Sequence, residues 1–277
     1  MNNFNNKELQ SKILEIVVYF DNFCKQNNIR YYLMGGTALG AVRHKGFIPW
    51  DDDFDVFLDF ENYQKLQHVV KENLDRDKFY FQEENTDEWP MYFSKLRLNG
   101  TTYIEKDVLY KDMHHGIYID IMCLNNVSPN YFVRYLQYLS ARVLNAKALY
   151  SKGYITTSVI KKIAMRTLSY FVSRKTGSML LNFVRSFNAK DTGMVGHLFG
   201  RARFKKTSFP ASYLGDPIYT KFENLDLPIP QNAHGYLKLR YGDDYMKMPS
   251  EEVKMSYPSH AYIVDITKSY ESYMDKK

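Results

Sequence analysis

Residues 34–59 read Met-Gly-Gly-Thr-Ala-Leu-Gly-Ala-Val-Arg-His-Lys-Gly-Phe-Ile-Pro-Trp-Asp-Asp-Asp-Phe-Asp-Val-Phe-Leu-Asp, and no other stretch constrains the fold as tightly. The run from Asp53 to Leu58 reads as a core strand, and strand side chains alternate faces, so Asp53 and Asp55 point the same way. Two carboxylates about 4 Å apart repel by about 4 kcal/mol at an effective dielectric of about 20, so such a pair calls for a cation. Mg2+ suits that need, because it keeps waters and takes one or two carboxylates plus substrate phosphates. The pattern points to metal-assisted phosphoryl or nucleotidyl transfer.

Upstream, Arg30 to Met34 reads as a strand and Thr37 to Arg43 as a short helix, which puts Gly35 and Gly36 in a strand-to-helix turn. Backbone N–H groups in such a turn approach a ligand closely, and the helix start beginning at Thr37 favours a phosphate. Other glycine and acidic motifs fail. A phosphate-binding Walker loop needs Lys after the second spaced glycine, where Ala41 follows Gly40. A dinucleotide fingerprint needs a second glycine two residues beyond Gly35, where Thr37 stands. Asp51, Asp53 and Asp55 copy the start of a calcium loop, but Val56 and Asn62 replace its glycine and bidentate glutamate.

Asp120 supplies a third acidic candidate. It interrupts the aliphatic run Gly116-Ile-Tyr-Ile-Asp-Ile-Met122, where an unpaired charge is costly to bury. It would bind the metal, act as general base for an attacking hydroxyl, or form a salt bridge at a strand end. Arg43, His44 and Lys45 form a basic run after the glycine turn, and Lys95 and Arg97 share one face of an expected strand. Either set of cations suits a pyrophosphate.

The segment Gly35 to His44, continued by Gly46-Phe-Ile-Pro-Trp50 and Asp51-Asp-Asp-Phe-Asp55, resembles the signature of the LicD family of phosphorylcholine transferases and fukutin-related proteins. Lys95-Leu-Arg97, Gly116 to Ile121, Phe222-Glu223, Pro228, Pro230, Tyr236-Leu237, Tyr241-Gly-Asp243, Pro249 and His260 extend the resemblance over most of the chain. It implies an α/β (α+β) fold with a nucleotidyltransferase-like mixed sheet, in which Asp53, Asp55 and Asp120 serve as catalytic and Mg2+-binding residues. It further implies transfer of phosphocholine from CDP-choline to a hydroxyl of teichoic acid, lipopolysaccharide or another glycan or lipid-linked glycan, releasing CMP. Glycerol phosphate or ribitol phosphate from a CDP-activated donor is the alternative cargo, and a non-catalytic glycan- or nucleotide-binding module the alternative class. Gly35, Gly36, Thr37, Arg43, His44, Lys95, Arg97, Trp50 and His260 are the expected substrate-binding residues. An imidazole at His260 would bind phosphate, shuttle a proton or serve structurally. Aromatic faces attract quaternary ammonium groups, which makes Trp50 and Trp89 individual candidates for a choline contact, although no spacing identifies a cage.

Charge divides the chain unevenly. Residues 131–206 hold fifteen Lys or Arg against the single acidic Asp191, a local charge of +14, whereas the rest of the chain carries −8. Apolar residues recur there at helical intervals, as in Ile160-Lys-Lys-Ile-Ala-Met-Arg-Thr-Leu168. Three uses fit: peripheral contact with an anionic inner leaflet, contact with an anionic polysaccharide or solvent, or nucleic-acid binding, the last disfavoured because no recognised motif accompanies the patch.

Helices are expected over Lys7–Gln26, Glu61–Glu72, from Tyr131 to about Phe199, and over Gly235–Tyr241. Further strands are expected over Phe79–Phe81, Met91–Leu98 and Thr101–Glu105, with Asn99-Gly100 as a hairpin turn. The organisation follows as a catalytic core over 1–128, a basic amphipathic helical segment over 129–206, and a C-terminal segment over 207–277 that completes the catalytic lobe. The N-terminus lacks the apolar core of a signal peptide, and Cys24 and Cys123 are too few for a disulfide framework. A cytoplasmic protein is the expectation, with peripheral association at the inner face of the plasma membrane as one use of the basic block.

Overall fold

The computed structural model describes residues 6–108, 111–257 and 261–274. Leu9, Ile13, Ile16, Val17 and Phe20 recur at helical spacing and are buried along α1 (Asn6–Gln26), which lies across the central sheet. The expected order of strand, helix and strand follows as β1 (Tyr32–Leu33), α2 (Gly35–His44) and β2 (Asp55–Asp59), then α3 (Phe60–Asn73); Gly35 and Gly36 open α2 instead of forming a turn before it, since Met34 alone separates the helix from β1. Asp59 ends β2 and starts α3, its carboxylate accepting the Asn62 amide at 2.8 Å as an N-cap. Then follow β3 (Phe79–Gln82), β4 (Ser94–Leu98), β5 (Thr102–Glu105) and β6 (Tyr118–Asn126).

The central sheet has the order β1-β2-β6-β4-β3. Only β2 and β6 run parallel in that path, and both are inner strands dominated by buried Val, Ile, Leu and Phe. The fold is a mixed α/β one.

Asn99 and Gly100 do make a turn, with Gly100 at φ +71°, but β4 and β5 do not form the expected hairpin. Strand β4 is already flanked by β3 and β6, and the Thr101 hydroxyl bonds back to the Leu98 carbonyl at 2.7 Å, which steers β5 out of the sheet. There β5 pairs with β11 (Ala261–Asp265), described below.

The basic block folds as α4 (Tyr131–Lys152), α5 (Val159–Phe171) and α6 (Arg174–Arg185), with α5 and α6 both lying against α4. The helices stop at Arg185 rather than near Phe199, because Asn188 turns its side chain to the end of β6, accepting from the Asn126 amide at 2.7 Å. The chain then adds β7 (Met194–Gly196) to β6 and β8 (Ser208–Pro210) to β7. A second apolar core, including Trp89, Ala141, Leu144, Val184 and Leu198, seats the helices beside the sheet.

The remainder comprises the hairpin β9 (Ile218–Phe222) and β10 (Leu225–Ile229), then α7 (Ala233–Tyr241), α8 (Glu251–Ser256), β11 and α9 (Glu271–Met274). Phe222 meets Phe47 and Phe54 edge-on at 4.9 and 5.3 Å, so the C-terminal part shares the first core with the residues before β2. Cys24 and Cys123 are free and buried. Among the described residues, no helix is long and apolar enough to cross a membrane.

Candidate active site

Burial alternates from Asp51 to Val56: Asp52, Phe54 and Val56 turn inward, while Asp51, Asp53 and Asp55 keep partial exposure on the other face. The ladder then sets Asp120 of β6 beside Asp55, and Lys95 of β4 beside Asp120. The Asp120 amide donates to the Phe54 carbonyl at 2.9 Å, which aligns the acidic run with β6 before β2 formally begins.

Burial pushes the Asp55 carboxyl well above its ordinary value, the charges of Asp53, Asp120 and Asp51 push it further, and Lys95 opposes them. A group so placed ionises readily only when a cation joins it. The Asp120 Oδ1 atom lies 2.8 Å from Lys95 Nζ, yet off the direction of a hydrogen bond, so this buried oxygen retains unmet acceptor capacity. Among the described residues no three His, Cys, Asp or Glu side chains form a ready-made metal cage. The donor set therefore fits a hard cation held by one or two carboxylates, with phosphate oxygens and water filling its other positions.

Two absent side chains shape the cluster. A Cβ on Gly35 would lie 2.9 Å from Asp55 Oδ2, and one on Gly36 would lie 3.0 Å from Asp51 Oδ2. Gly35 also has φ +62°, a conformation that side chains rarely adopt. Its amide donates to the Tyr236 hydroxyl at 3.0 Å, so this N–H braces α7. Thr37 accepts the Asp55 amide on Oγ1 at 2.8 Å, fastening α2 to β2. The amides of Gly36 and Thr37, in the first helical turn, have no intrahelical acceptor and remain the anion-favouring end of α2.

Gly35→Ala is expected to lower stability by about 2 kcal/mol or more, from left-handed strain plus contact with the Asp55 carboxylate, measured by urea denaturation. Gly100→Ala is the control, since Gly100 shares the positive φ but has open space around its missing Cβ. Equal losses at the two positions would show that strain alone acts at Gly35.

Lys95 is 2 % exposed and sits between Asp120 and Glu105, the latter 3.9 Å away, with its ammonium 3.1 Å from the Tyr118 ring centre. Burial lowers Lys95 to about 8 against the pull of Asp120 and Glu105. Burial raises Glu105, but Lys152 and Lys95 together outweigh it and hold the carboxyl at about 2. Lys152, at the end of α4, closes on Glu105 at 2.5 Å. A line of alternating charge thus runs Asp120, Lys95, Glu105, Lys152. Arg97 is also buried, but its Nε donates to Gln82 at 2.9 Å and its Nη1 to the Gly116 carbonyl at 2.8 Å. Lys95 therefore adjoins the carboxylates, whereas Arg97 is spent on loop carbonyl and amide groups.

Arg43 donates to the carbonyls of Tyr245 and Lys247 at 3.0 and 3.2 Å, tying α2 to the segment after α7. His44 is held below its ordinary value by burial and by Arg43 and Lys254, and lies edge-on to Trp50 at 6.1 Å. The half-buried Trp50 ring already carries the Lys254 ammonium 5.1 Å from its centre. Trp89 is fully buried, donates to the Phe93 carbonyl, and has Lys95 and Lys152 each 5.1 Å from its ring, so it is a core residue. His260 lies outside the described residues.

Several roles were not assigned from the sequence. Glu105 and Lys152 complete the charge line, Tyr103 donates to the Asp52 carboxylate at 3.1 Å, and Glu223 accepts the Phe47 amide at 3.0 Å. Glu105 carried a usable signal: it ends an apolar strand, where an unpaired charge is as unfavourable as it is for Asp120 within β6.

Residues 28–124 match a family model described as LicD/FKTN/FKRP, nucleotidyltransferase domain. Over 268 residues, 93 % of this chain and 98 % of the relative, the chain is 29 % identical to the lipopolysaccharide cholinephosphotransferase LicD of Haemophilus influenzae. It is 30 % identical to an uncharacterized Rickettsia prowazekii protein over 39 % of this chain and 36 % of that one. It is 27 % identical to mannosyltransferase regulator 4 of Saccharomyces cerevisiae over 44 % of this chain and 10 % of that protein. Asp51, Asp53, Asp55, Lys95 and Asp120 all fall inside residues 28–124, so the acidic cluster and its lysine lie wholly within the stretch that is similar to the LicD/FKTN/FKRP nucleotidyltransferase domain.

Proposed function

We propose that this chain is a Mg2+-assisted transferase that moves phosphocholine from CDP-choline to a hydroxyl of a cell-surface glycan precursor, lipopolysaccharide or teichoic acid, on the cytoplasmic side. The observation that carries the reading is Asp55 and Asp120 abreast on the parallel β2–β6 pair, against the side-chain-free Gly35. The near full-length likeness to a lipopolysaccharide cholinephosphotransferase supports the choice of cargo.

Asp53 and Asp55 would hold the cation, which when bound neutralises charge on the diphosphate and on the phosphoryl group in transfer. The open amides at the start of α2 favour the donor's anionic end nearby. Asp120 accepts the proton of the acceptor hydroxyl as that oxygen bonds to the choline-bearing phosphorus and the bond to CMP breaks. Lys95 balances the Asp120 charge, while Thr37 and Tyr236 fix the β2–α2 corner.

CMP release from CDP-choline, CDP-ethanolamine, CDP-glycerol and CDP-ribitol, each with extracted glycan acceptor, tests this directly. CDP-choline is expected to give the highest kcat/KM. Preference for CDP-glycerol or CDP-ribitol would replace the cargo and keep the reaction class. Binding of donor or glycan without CMP release from any donor would leave a non-catalytic module.

A further inference from the structure

Helix α5 is apolar on two opposite sides. Met165 and Val172 are buried and Leu168 half-buried, on the side that meets the body of the protein. Val159, Ile160, Ile163, Tyr170 and Phe171 lie on the other side, and at about 100° per residue they fall within an arc of about 120°. All five are exposed, Ile160 by 81 %, Tyr170 by 83 % and Phe171 by 73 %. Single exposed apolar residues are ordinary; a continuous stripe along a helix marks a contact surface.

The surrounding charge says what the contact is. Lys162 and Arg166 border one edge of the stripe, Lys161 falls on the side of Met165 and Leu168, and Arg174 and Lys175 follow at the start of α6. From Tyr131 to Lys190 the chain has no acidic residue at all. A second copy of the same face would bring like charges together, and an anionic polysaccharide or nucleic acid would engage the cations while leaving the five apolar side chains in water. A surface that is both anionic and apolar beneath its charges matches the whole pattern, and an anionic lipid bilayer is such a surface.

We propose that α5 docks lengthwise on an anionic membrane, with Ile160, Ile163 and Phe171 entering the headgroup boundary and Lys162 and Arg166 meeting lipid phosphates. The proposal concerns binding alone and goes beyond the transferase reading: it stands if no donor is turned over, and it can fail while CMP release proceeds.

Flotation of the full-length protein with phosphatidylglycerol–phosphatidylcholine vesicles, against pure phosphatidylcholine vesicles, tests it. Binding is expected only with the anionic vesicles and is expected to weaken as salt rises. Charge reversal at Lys162 and Arg166 is expected to lower partitioning by about 100-fold or more, since each basic residue near such a surface contributes about 1 kcal/mol and its reversal adds a repulsion of similar size. Ile160→Ser, Ile163→Ser and Phe171→Ser together are expected to abolish flotation while leaving the thermal midpoint unchanged, because these side chains are exposed. Failure to float at low salt with phosphatidylglycerol would overturn the proposal. So would flotation undiminished by the serine variant, or a concentration-dependent dimer in sedimentation that the serine variant dissolves.

Discussion

Asp55→Asn is expected to lower CMP release by about 100- to 1000-fold, the range for removing a preorganised charge-stabilising group, with Asp53→Asn as its companion. The same variant is expected to raise the thermal midpoint of the metal-free protein at pH 7.5. The sign follows from linkage: a carboxyl raised by folding has no effect on stability below its unfolded value near about 3.9, and destabilises as pH climbs from there toward the folded value. Burial and three neighbouring aspartates raise Asp55, so the gain from asparagine should be absent at pH 4 and grow toward neutrality. Mg2+ should stabilise the wild type more than the variant. Scanning calorimetry in EDTA and in Mg2+ at both pH values checks each statement. A variant that turns over like the wild type and melts lower in EDTA at pH 7.5 would remove Asp55 from its assigned place.

Lys95→Met is expected to cost about 3–5 kcal/mol, the usual loss when one partner of a buried ion pair is deleted and the others stay charged. Asp120 loses its ammonium at 2.8 Å, and Glu105 keeps only Lys152. Lys95→Met combined with Asp120→Asn should recover part of the loss, because the amide needs no counter-charge and the Glu105–Lys152 pair is left intact. Urea unfolding of the two single variants and the double variant gives the coupling, provided the m-values agree. A Lys95→Met protein as stable as the wild type would show that the charge line is not fixed in solution.

Much of the site was legible because its logic is local. The two-residue spacing of Asp53 and Asp55, and the glycines before them, follow from strand alternation and turn geometry without knowledge of distant contacts. Asp120 was legible for a different reason, as a lone charge in an aliphatic strand. What sequence could not supply was pairing. Nothing in Lys95-Leu-Arg97 says that one cation adjoins the carboxylates while the next is consumed by Gln82 and Gly116, since that depends on β4 lying between β3 and β6. The same choice of neighbours turned the Asn99-Gly100 hairpin into an exit from the sheet. In the basic block, helical periodicity was readable, but which of the apolar faces found a partner was decided by α4.

The first motif finds its partners at the far end of the chain. The Gly35 amide waits for Tyr236, 201 residues on; the Arg43 guanidinium waits for Tyr245, 202 residues on; and the Phe47 amide waits for Glu223, 176 residues on. A nascent polypeptide leaving the ribosome must therefore be nearly finished before its glycine corner can lock. A fragment cut after residue 124 would hold every acidic side chain of the centre and none of those clasps, so excising it should yield a soft, protease-sensitive species instead of a miniature enzyme.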